Sequence, residues 1–229
     1  MAANFVIENH CTESQVCEIA FAGDGVRLAG QINYPQKRMP DGSPLVFILH
    51  HAGWRARKDY QHYVRTALNV GYATFLWDKR GTGRSGAGGR GSVVQDAVNA
   101  YETALAQPGI NPRRVAILAQ GEGSRLLGEN FGLFVRLQRP AGVILIGNML
   151  GEETITAIDA PLQIIQGERD WNTWQQYAQA AAATHATQTR HVSKFYVAHD
   201  ADRELMTGGD ARMFHFGAVH TIQDWLKTL

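Results

Sequence analysis

Residues Arg114 to Ser124 constrain this chain more than any other stretch. Val115-Ala-Ile-Leu118 is a run of aliphatic residues that suits a strand buried on both faces. The run stops at Ala119-Gln-Gly-Glu-Gly123, where small residues on either side of a central position let the backbone turn sharply. An amphipathic run containing Leu126, Leu127, Phe131, Phe134 and Val135 follows at once and predicts a helix. Strand, tight turn and helix succeed one another without a linker, and the turn lifts its central residue, Gly121, above the end of a sheet.

The rest of the chain supplies that sheet. Ile19 and Phe21, then the Asp24-Gly25 turn, then alternating Val26, Leu28, Gly30, Ile32 and Tyr34 predict an antiparallel hairpin. Residues 1 to 17 carry no pattern that assigns them. After the turn-rich Pro35 to Pro44 segment, strands and helices alternate. Strands are predicted at Leu45–Leu49, Ala73–Trp77, Val143–Ile146, Leu162–Ile165 and Val192–Val197. Helices are predicted from Tyr60 to Leu68, closed by Gly71, from a Ser92-x-x-Gln95 capping box onward, and at Trp174–Ala183 and Ala218–Leu226. Strands apolar on both faces and separated by helices indicate an α/β fold, with a mostly parallel central sheet covered by helices on both faces. At 229 residues and 45% apolar content the chain can bury one full core, and no repeat or linker divides residues 1–229.

Charge and cysteine content narrow the partners. A formal net charge of +1 gives no electrostatic case for nucleic acid or an anionic membrane. No apolar run is long enough to span a bilayer, and the N-terminus lacks the basic start and apolar centre of a signal peptide, so a cytoplasmic protein is expected. Cys11 and Cys17 stand beside no second pair of metal ligands, which leaves two reduced thiols and no metal or cofactor as the expectation.

Ligands of open parallel sheets bind beyond the carboxyl ends of the strands, and five such ends carry motifs. Ala119-Gln-Gly-Glu-Gly123 resembles the G-x-S-x-G nucleophile elbow of the α/β-hydrolase superfamily, with Gly121 where that family has serine. His50-His-Ala-Gly-Trp54 is similar to its H-G-x-G loop, with His51 in place of glycine. Asp78-Lys-Arg-Gly-Thr-Gly-Arg-Ser-Gly86 is close to its D-x-R-G-x-G-x-S loop. Gln166-Gly-Glu-Arg-Asp170 resembles the turn that places the catalytic acid, at Asp170. Ala198-His-Asp-Ala-Asp-Arg-Glu-Leu205 resembles the turn that places the histidine, where this chain has Arg203. The resemblance runs from Ile19 to Leu226 and implies an α/β-hydrolase fold. The short Gly147 to Pro161 connection leaves no room for a substantial lid.

Serine hydrolysis needs a hydroxyl, a base and an acid that orients the base. Gly121 has no side chain, and arginine does not deprotonate at physiological pH, so two of those roles are vacant. Gly121, Asp170 and Arg203 are therefore expected as vestigial triad positions. Ser124 lies one turn into the helix and does not restore the nucleophile, and His199 and His215 are the nearest candidates for a relocated base. The resemblance also implies a surviving anion site, with the Ala52 and Glu122 amides at the positive end of the helix and Arg203 adding charge, flanked by His51 and Trp54. Alternatively, Arg203 and Asp170 form a two-pronged pair that closes the site. The expected function is binding of a small or anionic ligand, or regulation, without serine hydrolysis. The first alternative is an enzyme using altered residues in the same pocket. A second is nucleotide binding through Gly81, Gly83 and Gly86, although that fingerprint needs a helix directly at its glycines, and here the helix waits until Ser92.

Overall fold

The structure is a computed structural model that describes residues 15–50, 55–171, 175–209 and 212–229. The chain divides into two compact units, Met1–Phe47 with Gly53–Pro112, and Ile48–Ala52 with Arg113–Leu229. In the first unit the strand order is β1 (Val16–Gly23), β2 (Val26–Asn33), β4 (Ala73–Trp77), β3 (Ser43–Leu49), and in the second it is β5 (Ile110–Gln120), β6 (Gly142–Ile146), β7 (Leu162–Gly167), β8 (Ser193–Ala198).

In the first unit, β1 (Val16–Gly23) and β2 (Val26–Asn33) form the expected antiparallel hairpin, with Gly23 opposite Val26 and Gly25 at φ 74° in the turn. β4 (Ala73–Trp77) pairs antiparallel with β2 and parallel with β3 (Ser43–Leu49). Between β3 and β4 lie a 3-10 turn (Arg57–Tyr60) and α1 (Gln61–Leu68). Gly30 breaks the apolar alternation of β2 because the Phe75 ring takes its place: a Cβ there would stand 2.6 Å from Phe75 Cζ. Phe47 stacks on Phe75 at 6.1 Å and meets Tyr101 of α2 (Val93–Leu105) edge-on at 5.1 Å. Ser92 caps α2, its Oγ accepting the Gln95 amide at 3.1 Å.

In the second unit, β5 (Ile110–Gln120), β6 (Gly142–Ile146), β7 (Leu162–Gly167) and β8 (Ser193–Ala198) are parallel. Every residue of β6 and β7 is buried; β6 has no polar side chain, whereas β7 takes Gln163 and Gln166 into the interior with its apolar residues. The helix expected after the turn is divided into α3 (Glu122–Glu129) and α4 (Phe131–Leu137). Asn130 leaves helical geometry between them (φ −126°, ψ 20°) and its Nδ2 donates to the Leu126 carbonyl at 2.9 Å, so an amide side chain takes a bond the backbone would have made. The β6–β7 connection holds only α5 (Glu152–Thr156) and no lid domain. α6 (Gln175–Gln188) leads to β8, and a small ribbon of β9 (Met206–Thr207) and β10 (Met213–Phe214), absent from the sequence reading, precedes α7 (Phe216–Lys227).

Cys17 is buried in β1 and disulfide-bonded, which corrects the expectation of two reduced thiols. Nothing in composition marks a thiol as paired, because pairing depends on a proximity that only the fold creates. Cys11 lies outside the described residues. Among the described residues no helix is long and apolar enough to cross a membrane.

Candidate functional site

At the end of β5, Gly121 takes φ 54° and ψ −119°, a conformation strained for any residue with a Cβ. Its amide donates to the Ile146 carbonyl at 2.9 Å, which ties the apex of the turn to the end of β6. The small residue on the far side of the turn is required: a Cβ on Gly123 would collide with the Leu49 carbonyl oxygen. Glu122 opens α3 and points its carboxylate along the helix toward Arg125, 3.6 Å away. Ser124 is fully buried, donating to the Gly121 carbonyl at 2.6 Å and accepting the Met149 amide at 3.2 Å. Its hydroxyl braces the turn from within.

The turns after β7 and β8 lie side by side. Glu168 N donates to Ala198 O at 3.0 Å, Arg169 N donates to Ala201 O at 2.8 Å, and Asp200 N donates to the Glu168 carboxylate at 2.9 Å. That last bond, then His199, holds the Glu168 carboxyl below its usual range, and Arg169 does the same for Asp200. Gly167 permits the approach, since a Cβ there would collide with the Asp202 carbonyl oxygen.

This arrangement brings Arg203 to Asp170. Arg203 Nη1 donates to Asp170 Oδ1 at 3.3 Å, and both side chains are nearly inaccessible, at 9% and 1% exposure. The pair is not two-pronged. The second prong, Nη2, donates to the Gly147 carbonyl at 3.0 Å, while Gln166 Nε2 occupies Asp170 Oδ2 at 2.7 Å. Gly147, at φ 54°, leaves room for this: a Cβ would stand 2.9 Å from Arg203 Cγ. Trp171 roofs the guanidinium, with Arg203 Cζ 4.8 Å from its ring centroid, and is itself 75% exposed. Gly121 is bonded to Ile146 and Arg203 to the next residue, Gly147, so both stand at the end of β6.

Neither histidine offers a base to Asp170. His199 is exposed, with Nδ1 3.4 Å from Glu168, and His215 caps α7 by accepting the Ala218 amide at 3.0 Å. His51, Ala52 and Trp54 lie outside the described residues. Sequence reasoning missed Gly147, Gln166 and Trp171. Gly147 at a strand end was a usable signal, whereas the ring on Arg203 had none.

The Gly81-Gly83-Gly86 loop closes on its own unit. The amides of Gly81, Thr82, Ser85 and Gly86 donate to backbone carbonyls, and the Arg84 amide donates to Asp78 at 3.0 Å. Asp78 is buried against Arg57, whose amide donates to it at 3.0 Å and whose Nε lies 3.4 Å away. A Cβ on Gly83 would collide with the Asp78 carboxylate. These amides leave no outward cradle for a phosphate, and α2 begins only at Val93. Among the described residues no three His, Cys, Asp or Glu side chains stand close enough to share a metal ion.

No protein-family model and no curated protein matches the chain. Solved structures do. An α/β serine hydrolase homologue from Coxiella burnetii is 15% identical at TM-score 0.61, the match covering 93% of this chain and 96% of that one. A predicted CIB-like hydrolase from Thermoplasma acidophilum is 13% identical at TM-score 0.65, covering 98% and 100%. The α/β hydrolase GrgF from Penicillium sp. sh18 is 10% identical at TM-score 0.68, covering 93% and 98%. Identities this low carry the fold and nothing finer, and the fold is that of the α/β hydrolases.

Proposed function

We propose that this chain, an α/β-hydrolase fold, does not hydrolyse by a serine mechanism and serves instead as a binding or regulatory protein for a small, anionic ligand. The observation that carries this reading is Gly121: the strained apex geometry of a nucleophile elbow, occupied by a residue with no atom to attack with. The fixing of Arg203 between Asp170 and Gly147 supports it, because a permanent cation stands where a base is needed. The first amides of α3 and the Arg203 charge favour an anion over a neutral ligand. The disulfide at Cys17 weighs against the cytoplasmic placement expected from sequence and favours an oxidising compartment.

The test is labelling with a fluorophosphonate, which requires an activated hydroxyl. The purified protein should neither label nor turn over an aryl ester, since loss of nucleophile and base together costs about six orders of magnitude in turnover. Gly121→Ser with Arg203→His should label at position 121, and either single variant should not. Labelling of the unmodified protein at any serine that governs turnover overturns the reading.

A further inference from the structure

We propose that a second site, independent of the elbow, binds an uncharged small molecule with an aromatic or branched apolar body and a carbonyl acceptor, in the groove where α4 faces the end of α5. The groove measures about 320 Å³, at the lower end of the range for small-molecule sites, roughly 300 to 1,000 Å³. Phe131, Val135 and Ala157 give it an apolar lining, and Arg139 and Asp159 stand at its polar end.

Gly132 marks the site as kept open. It lies in the first turn of α4, is not among the residues at positive φ, and a Cβ built there meets nothing within 4 Å. Neither backbone conformation nor packing requires a glycine, and a side-chain-bearing residue at such a position stabilises by limiting the unfolded chain. Gly128, on the same wall, differs, since a Cβ there would press on Leu150 at 2.6 Å. What Gly132 preserves is the space of the groove itself.

The polar end selects the ligand. Arg139 Nη1 donates to the Asp159 carbonyl at 2.7 Å and also to its carboxylate, and His191 Nε2 lies 2.8 Å from the other carboxylate oxygen. Among the described residues Arg139 Nε and Nη2 have no hydrogen-bond partner, so a guanidinium fixed in place keeps donors to offer. Asp159 neutralises that guanidinium and Arg125 pairs with Glu129 at 3.4 Å, so the polar end is charge-balanced and suits a neutral acceptor better than an ion that would bring an unpaired charge.

The probe is N-phenylacetamide, titrated into the full chain with amide chemical shifts as the readout. Saturable shifts confined to Gly128, Phe131 to Val135 and Ala157 are expected. Benzoate should bind more weakly by about threefold or more, because its carboxylate loses water on entering a groove whose own charges are already paired. Gly132→Leu fills the groove without touching packed atoms; it should weaken the probe by about tenfold or more while its melting temperature does not fall. No saturable shift, benzoate binding tighter than the amide, or unchanged affinity in Gly132→Leu each overturns the proposal.

Discussion

Arg203 has a structural role at the position where the resemblance places a catalytic histidine. A histidine at its position would share a proton with Asp170, whereas Arg203 holds a fixed charge against a carboxylate that is 1% exposed and spans to the Gly147 carbonyl as well. Truncating it removes the cation beside the buried Asp170 carboxylate, and removing one partner of a buried pair costs about 3–5 kcal/mol. Arg203→Met should therefore lower stability by about 3 kcal/mol in urea denaturation, and adding Asp170→Asn should recover most of that loss. Equal effects for the single and double variants would show that Arg203 acts through packing on Trp171 alone. At this scale the sequence was informative where identity decides chemistry, as at Gly121 and Asp170. It was silent where geometry decides, as in the choice of Gly147 over a second carboxylate oxygen for the other prong.

Elements were legible where one pattern dominated. Ala73–Trp77 matches the expected strand residue for residue, and the hairpin turn falls at Asp24-Gly25. The α3–α4 break was not legible, because the apolar spacing continues across Asn130 and only the side-chain bond to Leu126 ends the helix. α6 was read as far as Ala183 and continues to Gln188, taking His185 into the core. There His185 Nε2 lies 2.6 Å from the Ile158 carbonyl, its ring centroid 6.4 Å from that of His191. Burial, the larger influence, pushes the His185 pKa below its ordinary 6.5. As pH falls below 6.5 the unfolded chain takes up a proton that the folded His185 refuses, so this residue's contribution to stability is complete above that value and is lost as pH falls through and beneath it. His185→Asn should show a flatter fall in unfolding free energy than the unmodified protein between neutral and mildly acidic pH; parallel profiles would remove His185 from that dependence.

For the molecule as a whole, alternating strands and helices were enough to identify a mostly parallel α/β sheet, because the central strands are largely apolar and buried on both faces. Two things escaped. The β9–β10 ribbon pairs just two residues on each strand, too few for any periodicity, and the disulfide is a fact of proximity. The disulfide yields a prediction about global stability. A closed loop restricts the unfolded ensemble, and reduction should lower the unfolding free energy by about 2 kcal/mol if the loop is short. Denaturant midpoints with and without dithiothreitol measure this. Peptide mapping of the oxidised protein shows whether Cys17 pairs with Cys11 of the same chain. An unchanged midpoint would mean that the bond restricts nothing the unfolded chain explores.

The glycine at φ 54° has a consequence for substitution. A serine at position 121 and a histidine at position 203 are two separate substitutions, and each can be weighed alone. Serine alone would carry backbone strain of about 1–3 kcal/mol with no base to activate it. Histidine alone would give up the bond to Gly147 with no nucleophile to serve. On the function proposed above, each substitution alone costs stability, and only the pair assembles a hydroxyl and a base. Glycine, free of strain at the apex, lets the turn keep its shape for as long as it remains there.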